Sequence, residues 1–323
     1  MQKSQGLGLS GSQQVAETRR PSTFTIGICA TGRPLTLELL LTEVLRSEIP
    51  GFALEKVVVV ASDCSIETLT AARTLANRDS RLRLIEHDTR SGKADALNEI
   101  FRETGSGFLV YVNADALVEA GAIGALLERI EGDDRLGFVS GKPVFERPGG
   151  LISDVLDVMW TTQNILSSDS SEQRWGNHGT DELMVVRREL LPELPHGIVN
   201  DGAYIAGKIR SQGFLIGFEP QALVRIDVPW RMMDLVRQRR RILFGHIQVK
   251  RLVGKAPRTV ETMMLFDPFH GARVIVRMLA SRPRRALFIP IAAVCEVIAL
   301  VGALWDTTAS SGEHAVWERY GQN

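Results

Sequence analysis

Three acids sit where the chain leaves a strongly apolar run, and these are the residues best placed to do chemistry. Asp63 follows Lys56–Ala61 (KVVVVA). Asp115 ends Asn113-Ala114-Asp115, directly after Phe108–Val112 (FLVYV). Asp201 lies within Ile198-Val199-Asn200-Asp201-Gly202-Ala203. A carboxylate at 63 accepts a base N–H or ribose hydroxyl of a nucleotide, unless it only caps the helix that follows. At 115, with a ligand from Asn113 two residues earlier, it suits a hard divalent cation bridging phosphates; a turn or helix cap is the plainer use. Asp201, at the start of a helical stretch, is either a general base for a hydroxyl nucleophile or an N-cap.

Cations lie between and beyond these acids. Arg90-Ser91-Gly92-Lys93-Ala94-Asp95-Ala96-Leu97-Asn98 is not a P-loop, because His87 stands where its first Gly must fall. Gly92-Lys93 at a helix start offers amides and a cation to an anion, or is simply a solvated helix start. In Arg237-Gln238-Arg239-Arg240-Arg241, the arginines cannot all share one helical face, but Gln238 and Arg241, three apart, do. A guanidinium fork suits a leaving diphosphate. Gly6-x-Gly8-x-x-Gly11 matches a dinucleotide fingerprint formally, without the strand that must precede one, so no cofactor loop is expected there.

The elements that would position these residues alternate between strand and helix. Strands are expected at Phe24–Ala30, Lys56–Ala61, Leu82–Glu86, Phe108–Val112 and Gly137–Val144. Helices are expected at Leu35–Ser47 (Pro34 in its first turn), Ile66–Asn77, Lys93–Thr104 and Glu119–Ile130. This alternation implies an α/β fold with an open, mostly parallel sheet flanked by helices, whose ligands bind beyond the carboxyl ends of the strands. Further on, Ile152–Leu166 reads as a helix and Ser167–Glu172 as a mobile loop. Leu183–Val186 reads as a strand, Gly202–Ser211 as a helix, and Phe214–Phe218 with Ala222–Ile226 as a hairpin. A long basic helix is expected from Arg231 to Val253. Ala286–Trp305 is apolar but for Glu296 and long enough to span a bilayer; lying on one or packing as a buried amphipathic helix is the plainer use. Arg282, Arg284 and Arg285 precede it, which places the catalytic part on the cytoplasmic side.

Composition excludes some classes. At 323 residues and 44% hydrophobic, the chain is too apolar for a disordered protein, and with 6% aromatics it lacks stacking platforms for nucleic acid. Cys29, Cys64 and Cys295 form no CxxC pair, so reduced thiols in a cytosolic compartment are expected, and the N-terminus carries no signal-peptide core. Lys plus Arg equals Asp plus Glu at 38 each, yet the neutrality is a cancellation. From Arg225 to Arg285 there are fifteen basic residues and four acids, an excess that an anionic leaflet or a diphosphate would attract.

In order and spacing, FTIGICATGRP, VVVVASDCS, SGKADALNE, FLVYVNADALV, GTDELMVVRR, VNDGAYIA and VRQRRRI resemble the inverting family 2 glycosyltransferases of the GT-A fold. The resemblance covers about 23–250. It implies a GT-A-like domain over 22–227, after a disordered leader at 1–21. A basic helical segment over 228–285, a candidate transmembrane helix at 286–305 and a short tail at 306–323 complete the organisation. It also implies transfer of a sugar from a nucleoside-diphosphate sugar to an acceptor hydroxyl or lipid phosphate, with inversion, at the cytoplasmic membrane face.

Residue by residue, Asp63 matches the nucleotide-binding acid, and Lys93 falls in the Gly-Lys segment beside the nucleotide. Asp115 matches the last acid of the Asp-x-Asp motif that holds Mg2+ or Mn2+, with Asn113 as a further ligand. Asp201 matches the catalytic base, and Gln238 and Arg241 the Gln-x-x-Arg-Trp motif. Asn113 replaces the usual first acid of the metal triplet, and Asn200 stands where Glu is common. Ile242 replaces the Trp, which argues against a processive polysaccharide synthase. The implied partners are the nucleotide-sugar donor, a lipid-linked or polysaccharide acceptor and a membrane, with no nucleic acid. A sugar-nucleotide nucleotidyltransferase and a non-catalytic module binding anionic membrane or nucleic acid are the alternatives from other classes. The first lacks a Gly-rich, Arg-containing loop after the first strand, and the second needs neither Asp115 nor Asp201.

Overall fold

The computed structural model describes residues 21–32, 36–146, 149–172 and 179–309. The Gly6–Gly11 motif, most of the expected leader, Pro34 and the last residues of the tail lie outside them. In chain order the elements are β1 (Ser22–Gly32), α1 (Leu37–Arg46), β2 (Phe52–Cys64), α2 (Ile66–Ala76), β3 (Leu82–His87), α3 (Lys93–Glu103), β4 (Phe108–Asn113), β5 (Leu117–Val118), α4 (Ala122–Glu131) and β6 (Leu136–Phe145). They continue with α5 (Gly150–Glu172), β7 (Leu183–Arg187), α6 (Asp201–Ser211), β8 (Leu215–Ile226), α7 (Met232–Val253), α8 (Val260–Phe266), α9 (Pro268–Ser281) and α10 (Ile289–Ala309).

The strands form one sheet in the order β3-β2-β1-β4-β7-β6-β8-β5. β3, β2, β1 and β4 are mutually parallel, β7 runs against β4 and β6, and β8 is parallel to β6. The run Val57–Val60 is continuous because both faces of β2 are covered. Val57 and Val59 pack in the cluster holding α1 and α4, while Val58 and Val60 pack against α3 and α6. All four are fully buried, each worth roughly 1.5–3 kcal/mol relative to exposure. β4 repeats the pattern, with Val110 and Val112 on one face and Leu109 and Tyr111 on the other. The sheet therefore presents the ends of β1, β2 and β4 side by side, at the level of Gly32, Asp63 and Asn113.

Local expectations fail in two places. Phe214–Phe218 and Ala222–Ile226 are not a hairpin. Both belong to β8 and both pair in parallel with β6, while Glu219-Pro220-Gln221 bulge out between Ser140↔Phe218 and Lys142↔Leu223. The chain does not reverse there, because β6 gives the two halves a common partner. Ser167–Glu172 is the last turn and a half of α5 rather than a loop. Ser167 and Asp169 are buried, and Asp169 pairs with Arg277 of α9, so tertiary contacts override a polar sequence.

α5, α7, α9 and α10 build a helical layer beside the sheet, and several arginines of the basic region are paired within it. Arg285 donates to Asp157 at 2.7 Å, Arg282 lies 3.5 Å from the same carboxylate, and Arg284 lies 3.8 Å from Asp154. Arg239 meets Glu296 at 2.6 Å, and Arg240 meets Asp306 at 2.7 Å. The three arginines before α10 therefore bind acids of α5. The helix itself starts at Ile289, after a 3-10 turn over Pro283–Leu287, not at Ala286. Ile289–Thr308 is long and apolar enough to cross a membrane.

Candidate functional site

At the end of β2, Asp63 takes a left-handed backbone conformation (φ 51°) and its Oδ2 lies 2.9 Å from Arg90 Nε. It does not cap α2. Ser65 does, its hydroxyl accepting from Thr68 N at 3.3 Å. The turn leaves a half-exposed carboxylate above the strand ends, held by Arg90.

Asp115 sits in the tight turn after β4, where Ala116 N bonds Asn113 O at 3.1 Å. It caps no helix, since α4 begins after Gly121. Its half-buried carboxylate makes no hydrogen bond or ion pair among the described residues. Asn113 is engaged on both sides: Tyr111 Oη–H donates to its Oδ1 at 2.8 Å, and its Nδ2 donates to Glu182 Oε2 at 2.6 Å. Burial, with repulsion from Asp181 and Asp115, pushes Glu182 up to about 8, which also places the three acids within electrostatic reach. Among the described residues no group of three or more His, Cys, Asp or Glu side chains forms a closed metal cage. Nucleotide-site Mg2+ is held differently, by one or two carboxylates plus phosphate oxygens, and Asp115 with its neighbour Glu182 fits that donor set.

Asp201 lies in the first turn of α6, 3% exposed. The cap is Asn200, whose Oδ1 accepts from Ala203 N at 3.1 Å, so Asp201 is left for other work. Lys93, the first residue of α3, donates to Asp181 and stands 3.1 Å from Asp201 Oδ2, with its ammonium 5.0 Å from the centre of the Tyr111 ring. Burial raises Asp201 to about 6 against the pull of Lys93, with Asp181 adding to the rise. Burial alone would lower Lys93, but Asp181 and Asp201 drive it well above its ordinary value. Lys93 is thus a firmly charged partner of two carboxylates, although its segment reads as a diphosphate contact. Cys29, on the same floor, is pushed by burial up to about 12 and stays a thiol.

Several residues hold the loop that carries Asp201. Asn98 of α3 clamps Leu194, donating to its carbonyl and accepting from its N–H, both at 2.9 Å. Asp95 meets His196 at 2.9 Å. From α7, Gln248 accepts from Val199 N at 2.9 Å and donates to Gly197 O at 3.0 Å. One turn earlier, Gly245 lies so close to Asn200 that a Cβ would stand 2.7 Å from the Asn200 Cβ. Gly202 likewise admits Asp181 beside α6.

Positions 238, 241, 245 and 248 fall on one face of α7. The face that grips the Asp201 loop therefore also carries Gln238 and Arg241, while Arg239 and Arg240 turn to α10. The structure thus brings Lys93 and Asp201 together, and sets Asp63 and Asp115 at the ends of the two strands that flank β1. Asp181 and Glu182 are site residues that strand reading passes over. Their signal is an acid pair directly before the apolar run LMVVR.

Comparison with known proteins identifies the lineage and the fold. Residues 25–194 match the family model described as "Glycosyl transferase family 2". A poly-beta-1,6-N-acetyl-D-glucosamine synthase of Staphylococcus epidermidis is 20% identical over 220 residues, 66% of this chain and 52% of that protein. The chain therefore spans about half the length of the curated relatives it matches. Among solved structures, a mannosyltransferase from Pyrobaculum calidifontis in complex with GDP-Man and Mn2+ superposes with a TM-score of 0.61 at 21% identity, over 91% of this chain and 89% of that one. GalNAc-T7 with UDP, GalNAc and Mn2+ gives a TM-score of 0.52 at 14% identity, over 72% and 48%. At such identities the solved structures speak for the fold, a GT-A-like α/β sheet, and the family model speaks for the lineage. The chain belongs to glycosyl transferase family 2.

Proposed function

We propose that this protein transfers a sugar from a nucleoside-diphosphate sugar to an acceptor hydroxyl or lipid phosphate, inverting the anomeric carbon, with Asp201 as the base. The observation that carries the reading is a buried carboxylate beside Lys93, freed from capping by Asn200 and pushed by burial up to about 6. A base with that pKa is ionised at neutral pH and still takes a proton in the transition state. Asp201 accepts the acceptor's proton as its oxygen attacks the anomeric carbon from the face opposite the nucleotide. One protein carboxylate suffices for a single in-line displacement.

The other residues bind and orient. Asp63 takes the nucleoside, Arg241 with the charge of Lys93 neutralises the departing diphosphate, and Gln238 hydrogen-bonds the nucleotide sugar. Lys93 keeps Asp201 anionic and in place. When bound at Asp115, a divalent cation, Mg2+ or Mn2+, supplies charge stabilisation to the leaving nucleoside diphosphate. Asp201→Asn should lower transfer by about 10²–10⁴-fold while leaving donor affinity unchanged. Wild-type transfer by Asp201→Asn would falsify the assignment of the base.

We place the enzyme on a membrane, with the catalytic part cytoplasmic and a lipid-linked or polysaccharide acceptor. On α10, Val294, Val297, Ile298, Val301, Leu304 and Trp305 are all exposed and fall on one helical face. The opposite face, Cys295, Ala299 and Ala303, is buried, with Ala299 and Ala303 packing beside Leu243 of α7. Such an exposed apolar stripe is the signature of an interfacial or membrane surface. Flotation with anionic lipid vesicles checks this: the full chain should float, and a variant with Val297, Val301 and Leu304 changed to Ser should sediment.

A further inference from the structure

We infer that Glu182, oriented by Asn113, supplies the second carboxylate of the cation site, replacing from the neighbouring strand the acid that position 113 lacks. The inference rests on the divalent-cation reading above and concerns only this chain's residues toward that ion.

The topology makes the substitution possible. β4 and β7 run antiparallel with Val112 opposite Leu183, so Glu182 falls beside Asn113 at the strand end. The two are joined by backbone as well, Asn113 N donating to Glu182 O at 3.3 Å. The Asn113 amide has one sensible orientation. Its oxygen takes the Tyr111 hydroxyl, and its NH2 points at Glu182 Oε2; in the ionised form that a cation would hold, Glu182 only accepts, and this orientation of the amide serves it. Beside an ionised Glu182, an acid at 113 would be repelled, whereas the amide donates to it. The Asn113 side chain is therefore committed to its two neighbours, and the anionic oxygens at this corner come from Glu182 and Asp115. Glu182 uses only Oε2 toward Asn113, and Oε1 makes no hydrogen bond among the described residues. Asp181, the adjacent acid, is already bound to Lys93 and is not available. Two carboxylates remain, the number a nucleotide-bound hard cation takes from protein.

The test moves the acid between strands. Mn2+ alone is titrated into the full chain and the free ion is counted by electron paramagnetic resonance, with thermal melting as the check on folding. Glu182→Gln should weaken Mn2+ at least tenfold, and Asp115→Ala should do the same. The double variant Asn113→Asp/Glu182→Gln, which restores an acid at 113 and removes the one it would repel, should bind within about threefold of wild type. A merely structural Glu182 gives no such rescue. If Glu182→Gln binds Mn2+ like wild type while Asp115→Ala does not, or if the folded double variant fails to recover, the assignment of Glu182 is overturned and the cation reading stands. If wild type binds no Mn2+, or Asp115→Ala binds it as well as wild type, both fall.

Discussion

Lys93 Nζ lies 3.1 Å from Asp201 Oδ2 while donating to Asp181, so a single ammonium serves two acids. Lys93→Met leaves both carboxylates without their counter-charge, and removing one partner of a buried pair costs on the order of 3–5 kcal/mol. Denaturant unfolding should show a loss of that order. Transfer should fall with little change in donor KM, because the residue positions the base rather than the nucleotide. A donor KM raised tenfold at unchanged kcat would make Lys93 a direct contact of the diphosphate instead.

The pH dependence follows from Asp201, whose carboxyl is held above the ordinary range, at about 6. Activity needs the ionised form, so kcat should rise with pH through about 6 and then level. Stability takes the opposite sign. A carboxyl raised in the folded state binds protons more tightly there than unfolded, so its contribution is complete below about 4 and lost as pH rises through about 6. Over that window Asp201→Asn should be less pH-sensitive than wild type in thermal melts.

Gly245→Ala tests the contact between α7 and the Asp201 loop. The added methyl would stand 2.7 Å from Asn200 Cβ and 3.1 Å from its backbone nitrogen, neither of which is a flexible chain end. The loop must shift, at roughly 1–3 kcal/mol. Transfer should drop at least tenfold in a protein that still folds, as read by steady-state kinetics beside a melting curve.

Asp63 and Ser65 are two residues apart and should behave oppositely. Ser65→Ala removes the cap of α2 and should cost about 1 kcal/mol in unfolding without altering donor affinity. Asp63→Ala should weaken nucleoside diphosphate binding, measured by calorimetry, and leave the melting temperature within a degree or two.

Arg285 and Asp157 lock the helical layer, both largely buried and 2.7 Å apart. Asp157→Ala strands the arginine and should destabilise α9 by about 3–5 kcal/mol. Amide exchange should quicken across Pro268–Ser281 before the sheet is affected.

The α/β alternation, the buried character of Val57–Val60 and Phe108–Val112, and the order of Asp63, Lys93, Asp115 and Asp201 are all legible in the sequence. They rest on local patterns, a period-two or 3.6 repeat and the composition of short runs after strands. Whether Asp201 or Asn200 caps α6, and whether Asp63 or Ser65 caps α2, is undecided in sequence. Each is a choice between adjacent polar residues that only backbone geometry makes. Lys93 as the partner of Asp181 and Asp201 joins residues about ninety to a hundred and ten apart, which no local signal encodes. The same holds for the arginines. A run of positive charge reads as a surface for anions until the helices fold back, and then the acids of α5 and α10 claim six of its arginines. Local chemistry is written in the chain, but which charge neutralises which is decided by tertiary packing, because ion pairs form between whatever the fold brings within a few ångströms.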